Sequence, residues 1–426
     1  MYTFISFDSM NKKLTICILL GFTAFIGHCN AQSIRLTSYR SQTNITLDLN
    51  RAYNYNNYER NRWGMGIDLI QPLKYDKRYG TLFQNAFLGS AYVGYGTGDH
   101  AWKYGGSVGF IFPRAVFRGF DVFYQHDLLR VGSHSFDNYN IFNTTDNSSY
   151  FSSRYAGVDC ISAHTQIDIP GPAMLHIGYT HSHERLLFDA TGLLYPSIYD
   201  DDAMPYQTFD EAGFDLYWGD HWKLGVLAGV TDGDGTKRYA RVLAQYSNRF
   251  DFGDKAGSLR LFAQGGSVAT DNTPLSRRFD IGGTGGGFYY FNNTFLTIRP
   301  NTFMADAFAL ASIRYTSGWS LWKTTVSEPH PFVQLNALWG VLYGKSVVDG
   351  TGTYALYGTE PTKYIALTAP FAGLLEPCIG IDGLLRWGML DLGVAAAYQL
   401  TPKNSYYHLD NFLDKFAVMC VAKLII

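Results

Sequence analysis

The sequence predicts an all-β fold, a transmembrane antiparallel β-barrel of roughly 12–16 strands with short periplasmic turns and long extracellular loops. Three observations carry this expectation. The first is a period-two alternation along most of the chain. Leu390, Leu392, Val394, Ala396 and Tyr398 alternate with Asp391, Gly393, Ala395, Ala397 and Gln399, and Trp222 to Thr231 and Val333 to Trp339 alternate likewise. Successive strand side chains point to opposite faces, so each segment has one apolar face and one polar or small face. The second is that no apolar run after the N-terminal region is long enough for a spanning helix, which leaves a closed sheet as the membrane solution. The third is composition: 44 glycines, 31 tyrosines and 30 phenylalanines with only 16% charged residues suit a wall with a lipid-facing side and aromatic girdles.

The N-terminus reads as an export signal. Asn11-Lys12-Lys13 is a basic start, Leu14 to Gly27 is a short apolar run, and Cys29-Asn30-Ala31 places cleavage before Gln32. Met10 offers an alternative start, and His28 stands where a lipoprotein signal at Cys29 needs a small residue. The expected organisation is a signal peptide over 1–31, a short N-terminal segment and barrel entry over 32–60, and the barrel over 61–426. This directs the mature chain to a Gram-negative outer membrane. A net charge of −2 gives no basis for nucleic-acid binding, so outer-membrane lipid and an unidentified periplasmic or outer-membrane protein are the expected partners. Cys160, Cys378 and Cys420 are odd in number and widely spaced, which indicates neither a disulfide framework nor a metal site.

Strand-like segments begin at Trp63–Leu69 and Phe83–Tyr95, followed by Trp102–Phe112 and Phe120–Leu128. They resume at Ala173–Tyr179, Phe214–Trp218, Trp222–Val230, Tyr239–Ser247 and Ser258–Val268. The last are Ala307–Tyr315, Phe332–Trp339, Ile379–Leu385, Leu390–Tyr398 and Phe416–Leu424. Turn chemistry at Gly388 and at Asp232-Gly233-Asp234-Gly235 fits tight connections, whereas Gly132–Tyr150, Asp271–Asn301 and Gly344–Pro370 read as long outer loops. Tyr92, Tyr95, Trp102, Trp218, Trp222, Trp319, Trp322 and Trp387 fall near strand ends, where interfacial aromatics belong.

Motifs that could carry chemistry each have a plainer reading. The glycine run 282–287 is followed by aromatics rather than by a helix start with Lys-Ser/Thr, so a loop explains it better than a phosphate cradle. His181-Ser182-His183-Glu184 brings imidazoles, a hydroxyl and a carboxylate together in sequence, enough to suggest a shared metal or an activated serine. A polar strand end entering a loop is the better account, and His126-Asp127 is of the same kind. Asp232 and Asp234 lack the closing glutamate of a calcium loop, and Asp200-Asp201-Asp202 reads as a solvated acidic surface. The expectation is no catalytic residues, no metal and no cofactor. Two alternatives stay open: a lipid acyl hydrolase built on His181–Glu184 or His126, and a passive diffusion channel. Arginine at Val394 is expected to be costly, and arginine at Gly393 tolerable in a wet lumen.

Two ordered sets of motifs add a resemblance. NRWGMGIDLIQPLKYDKRYG (61–80), AYVGYGTGDHAWKYGGSVGFIF (91–112) and FDVFYQHDLLRVG (120–132) come first. RRFDIGGTGGGFYYFNNTFLTIRPNTFMADAFALASIRY (277–315), EPCIGIDGLL (376–385) and DNFLDKFAVMCVAKLII (410–426) follow. Their order resembles the C-terminal barrel of a Bacteroidota outer-membrane family of unknown function, usually preceded by a carboxypeptidase-regulatory-like domain. That barrel is similar to the surface-antigen superfamily of BamA, TamA and two-partner secretion transporters. The resemblance implies a non-enzymatic transport, assembly-accessory or surface role. It also implies a loop folded into the lumen, entered through Gly282 and Gly283 and locked by Arg299 to Asp306 or Asp382. Pro300-Asn301 follow Arg299 where the superfamily carries glycine and an aromatic. The stretch from Gln32 to Asn61 is too short for the periplasmic repeat domains of the assembly members, so independent insertase activity is not expected.

Overall fold

The computed structural model describes residues 33–37, 43–48, 52–56, 58–73, 85–131, 155–188, 205–232, 237–270, 273–281, 295–298, 302–344, 347–348, 350–356, 363–387, 390–400 and 415–424. The chain opens with β1 (Ser33–Thr37), β2 (Asn44–Asp48) and β3 (Tyr53–Asn56). It continues through β4 (Arg60–Pro72), β5 (Ala86–Gly96), β6 (Trp102–Ile111), β7 (Phe117–Arg130), β8 (Tyr155–Ile169) and β9 (Ala173–Leu186). Next come β10 (Tyr206–Trp218), β11 (Trp222–Thr231), β12 (Lys237–Asp251) and β13 (Ser258–Val268), then a small pair, β14 (Phe279–Asp280) and β15 (Met304–Ala305). The last are β16 (Ala307–Thr316), β17 (His330–Val341), the hairpin β18 (Thr351–Leu356) and β19 (Lys363–Thr368), β20 (Leu374–Trp387), β21 (Leu390–Tyr398) and β22 (Phe416–Leu424).

Every ladder of the main sheet is antiparallel and joins strands that are neighbours in the chain, with β14–β15 and β18–β19 set apart as excursions. β2 and β3 lie on the same edge of β4, against Gly66–Ile70 and Arg60–Trp63, so they are two halves of one interrupted strand. Counting them once and leaving the short β1 aside, the wall has sixteen strands among the described residues. Within the stretch expected to form the short N-terminal segment and barrel entry, β2 and β3 thus join the wall. Among the described residues no ladder links β1 or β2 to β22. The sheet nevertheless curls round an interior, because Val131 after β7, Leu243 of β12, Leu338 of β17 and Ile365 of β19 share one apolar cluster.

The facing of the side chains identifies the wall as a membrane barrel. Along β17, Val333 and Leu335 are 54% and 45% exposed, whereas Gln334 and Asn336 are 4% and 1%. β16 repeats the pattern, with Ile313 and Tyr315 outside and Ser312 and Arg314 inside. A water-soluble protein would show the reverse. Paired strands satisfy their own backbone groups, so this apolar exterior can sit in hydrocarbon.

The longest connections share one end. Residues 112–116, 170–172, 219–221 and 252–257 make short turns at the opposite end, where 73–85 and 317–329 are longer. Residues 131–154, 187–205, 269–306 and 342–373 make the long connections, with the shorter 97–101 and 232–236 beside them. Gly219 adopts φ 57° in the tight turn from Trp218 to Trp222, a left-handed conformation that disfavours any residue with a Cβ. Trp218, Trp222, Trp319 and Trp322 are exposed at the short-turn end, and Trp63 and Trp102 at the long-loop end, as interfacial girdles require. Tyr92 does not join them. Its hydroxyl points inward and donates to Asp127 at 2.9 Å. Gly388 and 233–235 lie outside the described residues.

β8 escaped the sequence reading because its two faces do not sort by polarity. Asp159 lies on the same outer face as Ile161, and Ala156 and Val158 share the inner face with Ser162 and His164. Gly393 also differs from expectation. It faces inward, but a Cβ there would collide with the Ile381 carbonyl oxygen and meet Asp382 Cα at 3.0 Å, so an arginine has no room whatever the state of the lumen.

The facing can be tested elsewhere. Ile313→Arg should cost about 2–4 kcal/mol, the range for a cation on the lipid face near mid-bilayer. Gln245→Arg, on the lumen face of β12, should cost well under that. Urea unfolding in phospholipid vesicles measures both, and equal losses would contradict the assignment.

Candidate functional site

The connection between β13 and β16 turns back into the barrel. Pro274, which lacks an N–H, leads into a single 3-10 turn at Leu275–Arg277, and β14 then pairs with β15. Phe279, Ile281, Phe295, Ile298, Phe303 and Met304 from this connection are almost fully buried. They pack with Val131, Phe188, Leu338 and Leu342, and with Ile365 and Leu367 of the β18–β19 hairpin. The long-loop end of the lumen is therefore roofed by an apolar cluster.

Beneath this roof, charged side chains tie the connection to the wall. The Arg277 guanidinium donates to both oxygens of Glu211 (Nε to Oε1 2.7 Å, Nη2 to Oε2 2.8 Å) and to both of Glu184 (Nη1 to Oε2 2.8 Å, Nη2 to Oε1 2.5 Å). Glu184 and Glu211 are inward residues of β9 and β10, neighbouring strands of the wall. The Tyr239 hydroxyl donates to Glu211 at 2.8 Å, the Ser182 hydroxyl to Glu184 at 3.1 Å, and the guanidinium carbon lies 4.3 Å from the Phe209 ring centroid. Arg278, fully buried, donates from Nη1 to both oxygens of Asp306 at 2.5 and 2.6 Å and stacks over Tyr354 of β18 at 4.1 Å. Asp306 also accepts the Tyr343 N–H at 2.6 Å.

A third anchor grips the far side of the connection. The Glu376 carboxylate, on β20, accepts the Leu296 and Thr297 N–H groups at 3.1 and 2.8 Å and the Thr297 hydroxyl at 2.6 Å. Asn336 of β17 donates to the same carboxylate at 2.9 Å, and Gln334 donates to Asn336 at 2.7 Å and to Ser312 at 3.1 Å. The connection thus spans the interior from β9–β10 to β17–β20. Paired ionic contacts of fixed geometry suit this task, because each orients as well as attracts.

Arg299, Gly282 and Gly283 lie outside the described residues. Asp306 and Asp382, the alternative partners expected for Arg299, are both engaged: Asp306 by Arg278 and Asp382 by Arg314 of β16. Sequence reasoning did not single out Arg277, Arg278, Glu211 or Glu376, and met Glu184 only as part of the histidine motif. The available signal was parity: Glu184, Glu211 and Glu376 each stand at an inward position within a strand, where an unpaired carboxylate would be costly.

The histidine motif is divided by the wall. His181 and His183 face outward, with His181 Nδ1 at 2.8 Å from Asp210 and His183 Nδ1 at 3.3 Å from Thr208. Ser182 and Glu184 face the lumen, 1% and 4% exposed. Period two places the serine and the imidazoles on opposite sides, which removes Ser182 as a nucleophile served by either. His126 and Asp127 divide the same way, His126 to Asp159 outside at 2.5 Å and Asp127 to Arg62 and Tyr92 inside. Among the described residues no group of three or more His, Cys, Asp or Glu is arranged to hold a metal.

No family model matches the chain, and no curated protein matches it. Solved structures do. BamA from Haemophilus ducreyi, in a form lacking POTRA domains 1–3, is similar with a TM-score of 0.50 at 10% identity, over 92% of this chain and 74% of that one. CdiB from Escherichia coli gives 0.43 at 11% identity, over 92% and 67%. CdiB from Acinetobacter baumannii gives 0.39 at 10% identity over 85% of this chain, which spans 57% of the length of that protein. The BamA likeness supports an outer-membrane-type β-barrel, a statement about fold.

The clamp makes a thermodynamic prediction. Arg277→Met leaves two carboxylates buried without a cation and should destabilise by about 3–5 kcal/mol. Adding Glu184→Gln and Glu211→Gln should recover most of that loss in the same unfolding assay. A triple variant no more stable than the single one would show that the three residues do not act as a unit.

Proposed function

We propose that this chain is a non-enzymatic outer-membrane barrel with a transport, assembly-accessory or surface role, of the kind found in the BamA-type surface-antigen superfamily. The observation that carries the reading is the occupied lumen: a connection clamped by Arg277, Arg278 and Glu376 and roofed by apolar packing. A diffusion channel needs an open path through these positions. An acyl hydrolase built on Ser182 needs that hydroxyl and an imidazole on one face, and the Ser182 hydroxyl is turned away from both neighbouring histidines. The motif order further supports membership of the Bacteroidota barrel family, and the basic-then-apolar N-terminus supports export through a signal cleaved before Gln32. An unidentified periplasmic or outer-membrane protein partner belongs to the same reading.

Deletion of the gene in its source bacterium tests this reading. Quantitative proteomics of the outer membrane and medium should show the loss of one or more exported proteins, with lipid acylation unchanged by mass spectrometry. An intact exported proteome with altered lipid acylation would overturn it in favour of the enzyme.

A further inference from the structure

Three arginines stand in line across neighbouring strands near the short-turn end of the barrel. The ladders set Arg249 of β12 opposite Arg260 of β13, and Arg260 opposite Arg314 of β16. All three belong to the lumen face. The residues beside them, Phe250, Ile313 and Tyr315, are exposed on the outer surface, and Arg314 is buried with its guanidinium 3.6 Å from the Phe332 ring centroid. Arg249 pairs with Asp251 at 2.8 Å, and Arg314 pairs with Asp382. Arg260 has neither an ion pair nor a hydrogen bond among the described residues.

Like charges directly opposite on paired strands destabilise a sheet, and Arg260 meets one on each side. The two carboxylates leave one positive charge of the three uncompensated. Guanidinium forks bind oxyanions with two parallel hydrogen bonds. A carboxylate is satisfied by one fork, whereas a tetrahedral oxyanion has oxygens for several donors at once, and here a free fork sits between two others. We propose that this row is an oxyanion site at the periplasmic mouth of the lumen, taking a phosphate-class group on a small soluble ligand. The wall separates it from bilayer lipid, so the ligand enters through the mouth, where β12 ends at Asp251 and β13 begins at Ser258.

The test uses the full-length refolded protein in dodecyl maltoside micelles, titrated with inorganic phosphate against sodium chloride of equal ionic strength. Phosphate should raise the thermal unfolding temperature saturably, and calorimetry should give one site. Arg260→Gln should weaken phosphate binding at least tenfold, yet be as stable as the parent or more so without phosphate, because it removes two repulsive contacts. Arg260→Lys, which keeps the charge and loses the fork, should fall between. The proposal is overturned by a phosphate response no greater than that of chloride, by wild-type binding in Arg260→Gln, or by acetate binding as tightly as phosphate.

Discussion

The buried pairing of Arg277 and Arg278 with three carboxylates is the constraint on which the interior depends. A barrel in lipid must put its apolar residues outside, and the polar residues left inside need partners or water. Here Glu184 and Glu211 take theirs from a single guanidinium, and Asp306 from the next residue along the chain. Removing one cation strands a desolvated carboxylate. The connection carrying both arginines is thus held by the same charges that the inverted wall brings inward.

The outer roof and the inner clamp reinforce one another. Arg278 lies under Tyr354 of the β18–β19 hairpin, and that hairpin supplies Ile365 and Leu367 to the apolar cluster above the connection. The Tyr354 hydroxyl donates to the Tyr343 carbonyl at 2.9 Å, and the Tyr343 N–H donates to Asp306. A run of contacts therefore links the hairpin, the clamp and the start of β16. Loss of the clamp is felt at the roof as well as at the wall.

Much of this fold is readable wherever one strand face is apolar and the other is not. β11, β17 and β21 were assigned with their facings because Val and Leu alternate there with Gln, Asn or Gly. β8 was not, since Asp159 on the outer face and Val158 on the inner one erase the alternation. The His181–Glu184 motif looked like one group in sequence, but period two divides it across the wall. The resemblance to known barrels carries the expectation of an inward-folding loop, and the residues that define it there, Gly282, Gly283 and Arg299, lie outside the described residues. The anchoring of the connection by Arg277 was not legible, because its partners Glu184 and Glu211 lie 93 and 66 residues away, and no local spacing announces such a pair. Gly393 shows a further limit: parity gave its facing correctly, but only the packing reveals the Ile381 carbonyl against it.

The central claim is that the lumen is closed by a connection held through buried charge. Single-channel conductance in planar lipid bilayers tests it most directly, with folding verified by heat-modifiable gel migration. The wild-type barrel should be silent or flicker only briefly, and the Arg277→Ala, Arg278→Ala double variant should show frequent open steps. Large, steady conductance from the folded wild-type protein would contradict the account.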